Sequence, residues 1–298
     1  MQLFSSEALV QSSLTCGRGF ARSGLATLSD LKTPLWRELF DILEHQQADF
    51  LAYESLFRSP SYKWPSDALH NWSRVWEYPY VYENLKRWLL VHNTCEPIIV
   101  ADIGSGVTFF PFSIARLGCR SICSDIDPVC EIDLNRAVRY VTGRPGTVEF
   151  RLITSDVLPF GNEECDAAVC ISVLEHIRCF ERTVREIYRV LKPGGFFVLT
   201  IDLDLLGNSD INIGRYLALK EELARGFDYV HPERVTHPAD MLDSTNGPIS
   251  LYNQTCLGRV KRMLKHQVLK PLFGQQPTSP YPLHLAVQGF VLRKRQLR

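Results

Sequence analysis

The stretch VADIGSGVTFFPFSIARLG, residues 100–118, decides how the rest of the chain is read. A short apolar run carries Asp102 just ahead of two spaced glycines, Gly104 and Gly106, and an apolar helical segment follows. That is the pattern of a buried strand entering a helix through a tight turn. The first N–H groups of such a helix have no intrahelical partner, and glycine lets a ligand approach the backbone closely. A dinucleotide site would carry G-x-G-x-x-G. From Gly104 the chain reads GSGVTF, so Phe109 stands where the third glycine would be. Asp102 would also repel a nearby pyrophosphate, but it suits a cationic ligand. The charge pattern therefore favours a sulfonium-bearing cofactor.

Working outward, short apolar runs (IIVADIG, SICSDID, VEFRLITSD, DAAVCISV, GFFVLTID) alternate with helices expected at 110–117, 128–140 and 177–191. This alternation is the signature of a doubly wound, mostly parallel sheet with helices on both faces. Upstream, Leu35, Leu39, Ile42, Leu43, Phe50, Leu51 and Leu56 recur at helical spacing, which predicts one or two amphipathic helices over 33–57. A proline-broken loop follows at 59–65. The aromatic segment NWSRVWEYPYVYENLKRWLLVHN is then expected to turn at Pro79 and run as a helix to about His92. Beyond Asp204 the pattern lapses and returns as LHLAVQGFVLRKR, a late strand. The expected organisation is a helical cap over 1–95 and a sheet domain over 96–298, with 203–283 a mixed insertion on the substrate side.

The glycine block resembles motif I of the class I S-adenosylmethionine (SAM)-dependent methyltransferases, in which an acid precedes spaced glycines. Asp102, Gly104 and Gly106 match, and Thr108 departs from the frequent third glycine. CDAAVCISVLEHI followed by LKPGGFFVLTID resembles the fourth-strand to fifth-strand portion of the UbiE-like, or type 11, branch. The resemblance spans roughly residues 95–202 and implies a Rossmann-like, seven-stranded α/β sheet with SAM as cofactor. It assigns cofactor contacts to Asp102, Gly104, Gly106, Asp125, Ile126, Asp156, Val157 and Ser172. Asp125 ends the second strand, where an acid can accept both ribose hydroxyls, and Asp127 before Pro128 reads as a helix N-cap. Asp156 would face the adenine amino group and the Val157 N–H a ring nitrogen, with Leu158 and Phe160 as apolar ring contacts. Ser172 would line the methionine end through its backbone.

For the acceptor, Glu175 and His176 follow the fourth strand at the carboxyl edge. They are the catalytic candidates, His176 as a base that titrates near neutrality; the competing reading is that LEHI only satisfies local backbone groups. Trp76, Tyr78 and Tyr82 are the candidate acceptor-binding residues within an aromatic set that also holds Trp64, Trp72 and Tyr80. The expected activity is methyl transfer to an O or N atom of a small molecule, with specialised metabolism as its expected setting. A non-catalytic SAM-fold partner protein is the alternative. A nucleic-acid methyltransferase is the weaker one, since the chain has neither a [DN]PPY loop after that strand nor a Pro-Cys dipeptide.

Composition agrees. The 298 residues are 45% hydrophobic with 33 basic and 33 acidic side chains, so no excess of cations marks a nucleic-acid binder. Nine cysteines without a CxxC pair read as buried thiols of a cytoplasmic protein. His231, His237 and Asp240 match no metal-ligand spacing, so no metal is expected. No apolar run approaches the ~20 residues of a membrane span. The basic segment at 257–273 alternates cations with an apolar stripe and could meet an acidic partner or a membrane surface.

Overall fold

The structure is a computed structural model that describes residues 19–92, 96–206, 211–249 and 284–296; the basic segment at 257–273 lies outside these. The strands are β1 (Ser23–Leu25), β2 (Ile99–Ile103), β3 (Arg120–Asp125), β4 (Thr147–Leu152), β5 (Cys165–Ile171), β6 (Leu191–Asp204), β7 (Phe227–Tyr229), β8 (Glu233–Arg234) and β9 (Leu285–Lys294). They form one sheet in the order β4-β3-β2-β5-β6-β9-β1-β8, with β7 also on β9. The run from β4 to β6 is parallel, and β9 is antiparallel to β6. The doubly wound, mostly parallel sheet is as expected, but the described residues give nine strands rather than seven. The strands that no apolar run in the sequence marks, β1, β7 and β8, are two or three residues long, too short to show a period-two pattern.

The helices are α1 (Pro34–Leu51), α2 (Glu54–Phe57), α3 (Arg74–Val91), α4 (Phe110–Arg116), α5 (Pro128–Tyr140), α6 (Phe180–Val190) and α7 (Ile213–Gly226). Helix α5 starts as its sequence demands: the Asp127 side chain accepts the Val129 N–H at 2.9 Å, with Pro128 in the first turn. Strand alternation sorts the core onto two faces. Val100, Val198 and Val291 pack against α1, α3, α4 and α5. Their neighbours Ala101, Phe197 and Phe290 pack against α6 and α7. Both faces are buried, as parallel strands between two helical layers require.

The expected turn at Pro79 is not there, because α3 runs straight through it. A proline inside a helix removes the N–H that would bond to the carbonyl four residues earlier, here Val75. That carbonyl instead accepts the Trp36 indole N–H of α1 at 2.7 Å, so the helix continues without an orphaned acceptor.

Nor are residues 19–92 only a helical cap, since β1 adds a strand to the sheet against β9. The segment is tied to α3 by Tyr80, whose hydroxyl donates to the Arg22 carbonyl at 2.7 Å, and by Asn84, which donates to the Phe20 carbonyl at 2.9 Å. Asp30, 3% exposed, accepts from Arg22 at 2.6 Å and from the Trp76 indole at 2.7 Å. Helix α3 is thereby fixed on the face of the sheet, with its first turns at the carboxyl end. Strand β2 lies between β3 and β5, so the chain winds away from it in both directions and leaves a crevice at its carboxyl end.

Candidate active site

A cavity of about 830 Å³ opens at that crevice, bounded by the carboxyl ends of β2, β3, β5 and β6, the first turns of α3 and the loop before it. The glycine turn forms its floor. Gly104 and Gly106 have φ of +72° and +55°; a Cβ on Gly104 would lie 2.5 Å from a Val173 methyl, and one on Gly106 2.7 Å from the Tyr62 hydroxyl. Both glycines are therefore required by conformation and by space.

The amides of this turn are not left open. Gly104 and Ser105 donate to the Ser124 carbonyl at 2.7 and 3.2 Å, Gly106 to Asp125 at 3.0 Å, and Val107 to the Tyr62 hydroxyl at 2.7 Å. Asp125 also accepts the Asp127 N–H at 3.0 Å. It thus organises the loop while lining the cavity, and a carboxylate keeps further lone pairs for a ligand.

Asp102 is a contrast. It is 4% exposed and lines the cavity, yet its carboxylate accepts no hydrogen bond from any described residue. Burial, reinforced by the charge of Asp125 and opposed by Arg74, pushes its pKa up to about 7.

Arg74 organises the opposite wall. It makes a close ion pair with the fully buried Glu77, which also accepts the Ser172 hydroxyl at 2.7 Å. Burial opposes its charge, but Glu77, Tyr78 and Asp202 outweigh that and hold the guanidinium firmly protonated. Tyr78, one helical turn on, stacks on Phe110 with ring centroids 4.7 Å apart and also lines the cavity.

Ser172 sits at φ +49° with its N–H donated to the Thr200 carbonyl at 3.0 Å, so its expected backbone contact with a ligand is left to its carbonyl. His176 lines the cavity. Glu175 does not, and the expectation of a catalytic Glu175 is corrected: its carboxylate turns inward, accepts the Asp202 N–H at 3.1 Å, and is held above the usual carboxylate range by burial and by Glu77.

The structure brings Asp102, Gly104, Gly106, Asp125, Ile126, Asp156, Ser172, His176 and Tyr78 to one cavity. It takes others out. The Val157 N–H donates to Ser155 Oγ at 3.3 Å, and its side chain is off the wall. Phe160 is buried beneath Arg151. Asp156 is on the rim, paired with Arg182 at 2.5 Å.

Trp76 and Tyr82 are corrected as well, for a helical reason. Trp76 stacks on Tyr80 at 4.3 Å, and both rings press on Gly289 of β9, away from the cavity. Tyr82 continues the Arg74–Tyr78 stripe one turn too far, to Gln46 and Arg116. His237 and Asp240 serve local structure: His237 caps the turn at Ala239, and Asp240 accepts from Ser29.

Sequence reasoning missed Arg74, Asp202 and Tyr62. Arg74 was discoverable as the residue four before Tyr78 on one helix face. Asp202 follows from its position at the carboxyl end of GFFVLTID. Nothing local marks Tyr62.

Residues 101–199 match the family described as a methyltransferase domain. An uncharacterized methyltransferase of Mycobacterium tuberculosis (strain ATCC 25177 / H37Ra) is 30% identical over 143 residues, which is 46% of this chain and 54% of that protein. Over residues 101–199 the chain carries a methyltransferase domain. The mitochondrial ubiquinone biosynthesis O-methyltransferase of Rattus norvegicus is 29% identical over 132 residues, 42% of this chain and 37% of the relative. The chain thus spans about half the length of the first of these curated relatives and less of the second. The crystal structure of the cyclase SpnF superposes with a TM-score of 0.49 at 17% identity, covering 92% of this chain and 99% of that one. Methyltransferases of this kind take SAM, and the chain's cavity fits it: a buried carboxylate that accepts no hydrogen bond from the described residues lies at a floor that a single Cβ would obstruct. Among the described residues, no helix is long and apolar enough to cross a membrane.

Proposed function

We propose that this chain transfers the methyl group of SAM to an oxygen or nitrogen atom of a small molecule, in specialised metabolism. One observation carries the reading. The cavity continues from the acids Asp102, Asp125 and Asp156 to a second wall of Trp64, Trp72 and Tyr78, and its volume suits a small-molecule site, for which roughly 300–1,000 Å³ is usual.

Asp125 would take the ribose hydroxyls, Ile126 and Leu158 the adenine faces, and Asp156 the amino group. Arg74 would meet the methionine carboxylate. Bound there, SAM supplies a methyl carbon already activated by its sulfonium. The protein's share is alignment and exclusion of water, and positioning alone is worth several kcal/mol, roughly 7–11 at the extreme. An alcohol, phenol or ammonium acceptor must also lose a proton, and His176 on the cavity wall is the base in this reading. Within the segment before residue 96, the loop ahead of α3 and the first turns of α3 would shape the acceptor end. Free, buried thiols at Cys119, Cys123, Cys130, Cys165 and Cys170 suit a reducing, cytoplasmic setting.

The test has two parts. Calorimetry should show binding of SAM and of its demethylated product. Incubation of cell extract with SAM, with and without the protein, should then give one compound heavier by a methyl group in place of hydrogen. Binding without any methylated compound would favour the non-catalytic reading, and binding of neither would remove the cofactor assignment. Asp125→Ala should weaken SAM binding by ~1.5–3 kcal/mol, the worth of charged hydrogen bonds, while the domain stays folded, with the modest loss of stability expected when the Gly106 and Asp127 amides lose their acceptor. His176→Ala should abolish turnover and spare cofactor affinity.

A further inference from the structure

Glu77 on α3 is fully buried and does not reach the cavity wall, yet both side chains that it holds are on that wall. One carboxylate oxygen makes the close ion pair with Arg74, one turn earlier on the same helix. The other accepts the Ser172 hydroxyl at 2.7 Å, from the residue just beyond β5. Burying a carboxylate costs free energy that an apolar side chain of similar size would not, and an ion pair seldom returns more than that cost. The use of Glu77 therefore lies in where it sets its two partners.

Ser172 is held at φ +49°, a backbone conformation that side chains rarely adopt, and the next residue, Val173, lies against the Gly104 turn. Arg74 is the one arginine or lysine that the described residues place on the wall. SAM has a single anionic group, its carboxylate. The amides of the glycine turn are not open to it, because those of Gly104, Ser105, Gly106 and Val107 are donated to Ser124, Asp125 and Tyr62. The carboxylate is thus left with the Arg74 guanidinium as its fixed positive charge. A guanidinium grips a carboxylate best through two parallel N–H groups, which requires its plane to be aimed before the ligand arrives.

We infer that Glu77 is a positioning residue for the amino-acid end of SAM: it aims the Arg74 guanidinium and, through Ser172, sets the turn after β5 against the glycine turn. The inference rests on the cofactor reading above and adds to it a residue that touches neither ligand nor cavity. One buried carboxylate joins α3 to the sheet edge at the point where both contribute to the wall.

The experiment is calorimetric titration of the full chain with S-adenosylhomocysteine (SAH), which keeps the amino-acid and adenosine parts of SAM, and with adenosine, which lacks the first. The proteins are wild type, Glu77→Gln, Arg74→Ala and the double variant. Glu77→Gln keeps an acceptor for Ser172 and removes the charge that aims Arg74. It should weaken SAH about tenfold or more, as for one charge-assisted contact, and leave adenosine within about twofold. Once Arg74 is alanine, the same substitution should change SAH affinity by less than about twofold, since no guanidinium is left to aim. A purely structural role would weaken adenosine along with SAH, and the losses would multiply in the double variant. Either result, or unchanged SAH affinity in Glu77→Gln, overturns the inference and leaves the cofactor reading intact. Where adenosine binds too weakly to be read, the cycle on SAH decides alone. If Glu77→Gln does not fold, Ser172→Ala replaces it in the cycle, removing the other bond to Glu77; it should weaken SAH less beside Arg74→Ala than in the wild type, and equal losses overturn the inference. Failure of SAH to bind the wild type overturns the cofactor reading and this inference together.

Discussion

Asp30 and Asp102 are buried almost equally, 3% and 4% exposed, and are wired in opposite ways. Asp30 lies under the N-terminal segment and accepts from the Arg22 guanidinium, the Trp76 indole and the Thr27 amide. Asp102 lies at the cavity floor and accepts from no described residue. The first arrangement joins three segments of chain, β1, α3 and the turn that contains Asp30, into one rigid node. The second leaves the carboxyl either protonated or in need of a cation for its charge. Burial alone therefore does not tell a structural acid from a functional one; the donors around it do.

Breaking the node should have the largest effect. Asp30→Ala leaves the Arg22 charge buried and unpaired, which should cost about 3–5 kcal/mol in denaturant unfolding. Asp102→Asn should do the reverse at neutral pH and above, where the native protein must bury a charge: the variant unfolds at the same or a higher temperature. The sign follows from its raised pKa. Between its ordinary value of 3.8 and about 7, the folded acid keeps a proton that the unfolded one has lost, so this group's contribution to stability declines as pH rises through that window. Thermal unfolding across that window should show the decline in the wild type and a flatter profile in Asp102→Asn.

The Asp30 node can also be disturbed without touching either acid. Gly289→Ala would place a Cβ 2.7 Å from the Tyr80 ring, where Trp76 and Tyr80 lie on β9. Unfolding should show a loss of about 1–3 kcal/mol, as for overpacked cores.

Trp36→Phe approaches α3 from the other side and orphans the Val75 carbonyl, at a cost of roughly 1 kcal/mol. Adding Pro79→Ala restores a backbone donor to that carbonyl, so the double variant should be more stable than the sum of the singles. Additive losses would show that the indole bond does not compensate for the proline.

The smallest change is expected at the exposed acid. Arg182→Ala removes the partner of Asp156 on the rim, where both side chains are more than half exposed, and should alter stability by less than about 1 kcal/mol.

The half of the site built by β2, β3 and β5 was legible because strand, turn and helix alternate there with short spacings, and each acid falls at a strand end. The glycines of the loop could be named from sequence, since their positive φ and the approach of Val173 and Tyr62 leave no alternative. The acceptor half was read less well. It depends on which face of α3 meets the cavity, and six aromatic residues within twenty obscured that face: Trp64, Trp72 and Tyr78 line the cavity, and Trp76, Tyr80 and Tyr82 belong to the core. Pro79 also masked the helix itself, because the group that replaces its missing hydrogen bond comes from a residue 39 positions earlier than Val75. Strand β1 was invisible for a similar reason, its three residues being defined only by their partners in β8 and β9.

That last pairing bears on how the molecule is made. Gly24 of β1 is matched with Gly289 of β9, near the two ends of the chain, and Val291 donates its N–H to Ser23 Oγ at 3.1 Å. A ribosome delivers the whole glycine loop long before it delivers this clasp. Until β9 has emerged, the helix bearing Arg74 and Tyr78 has only the β6 side of its seat on the sheet, where Trp88 stacks on Phe196, so a nascent or C-terminally truncated chain would carry every cofactor motif without a finished pocket.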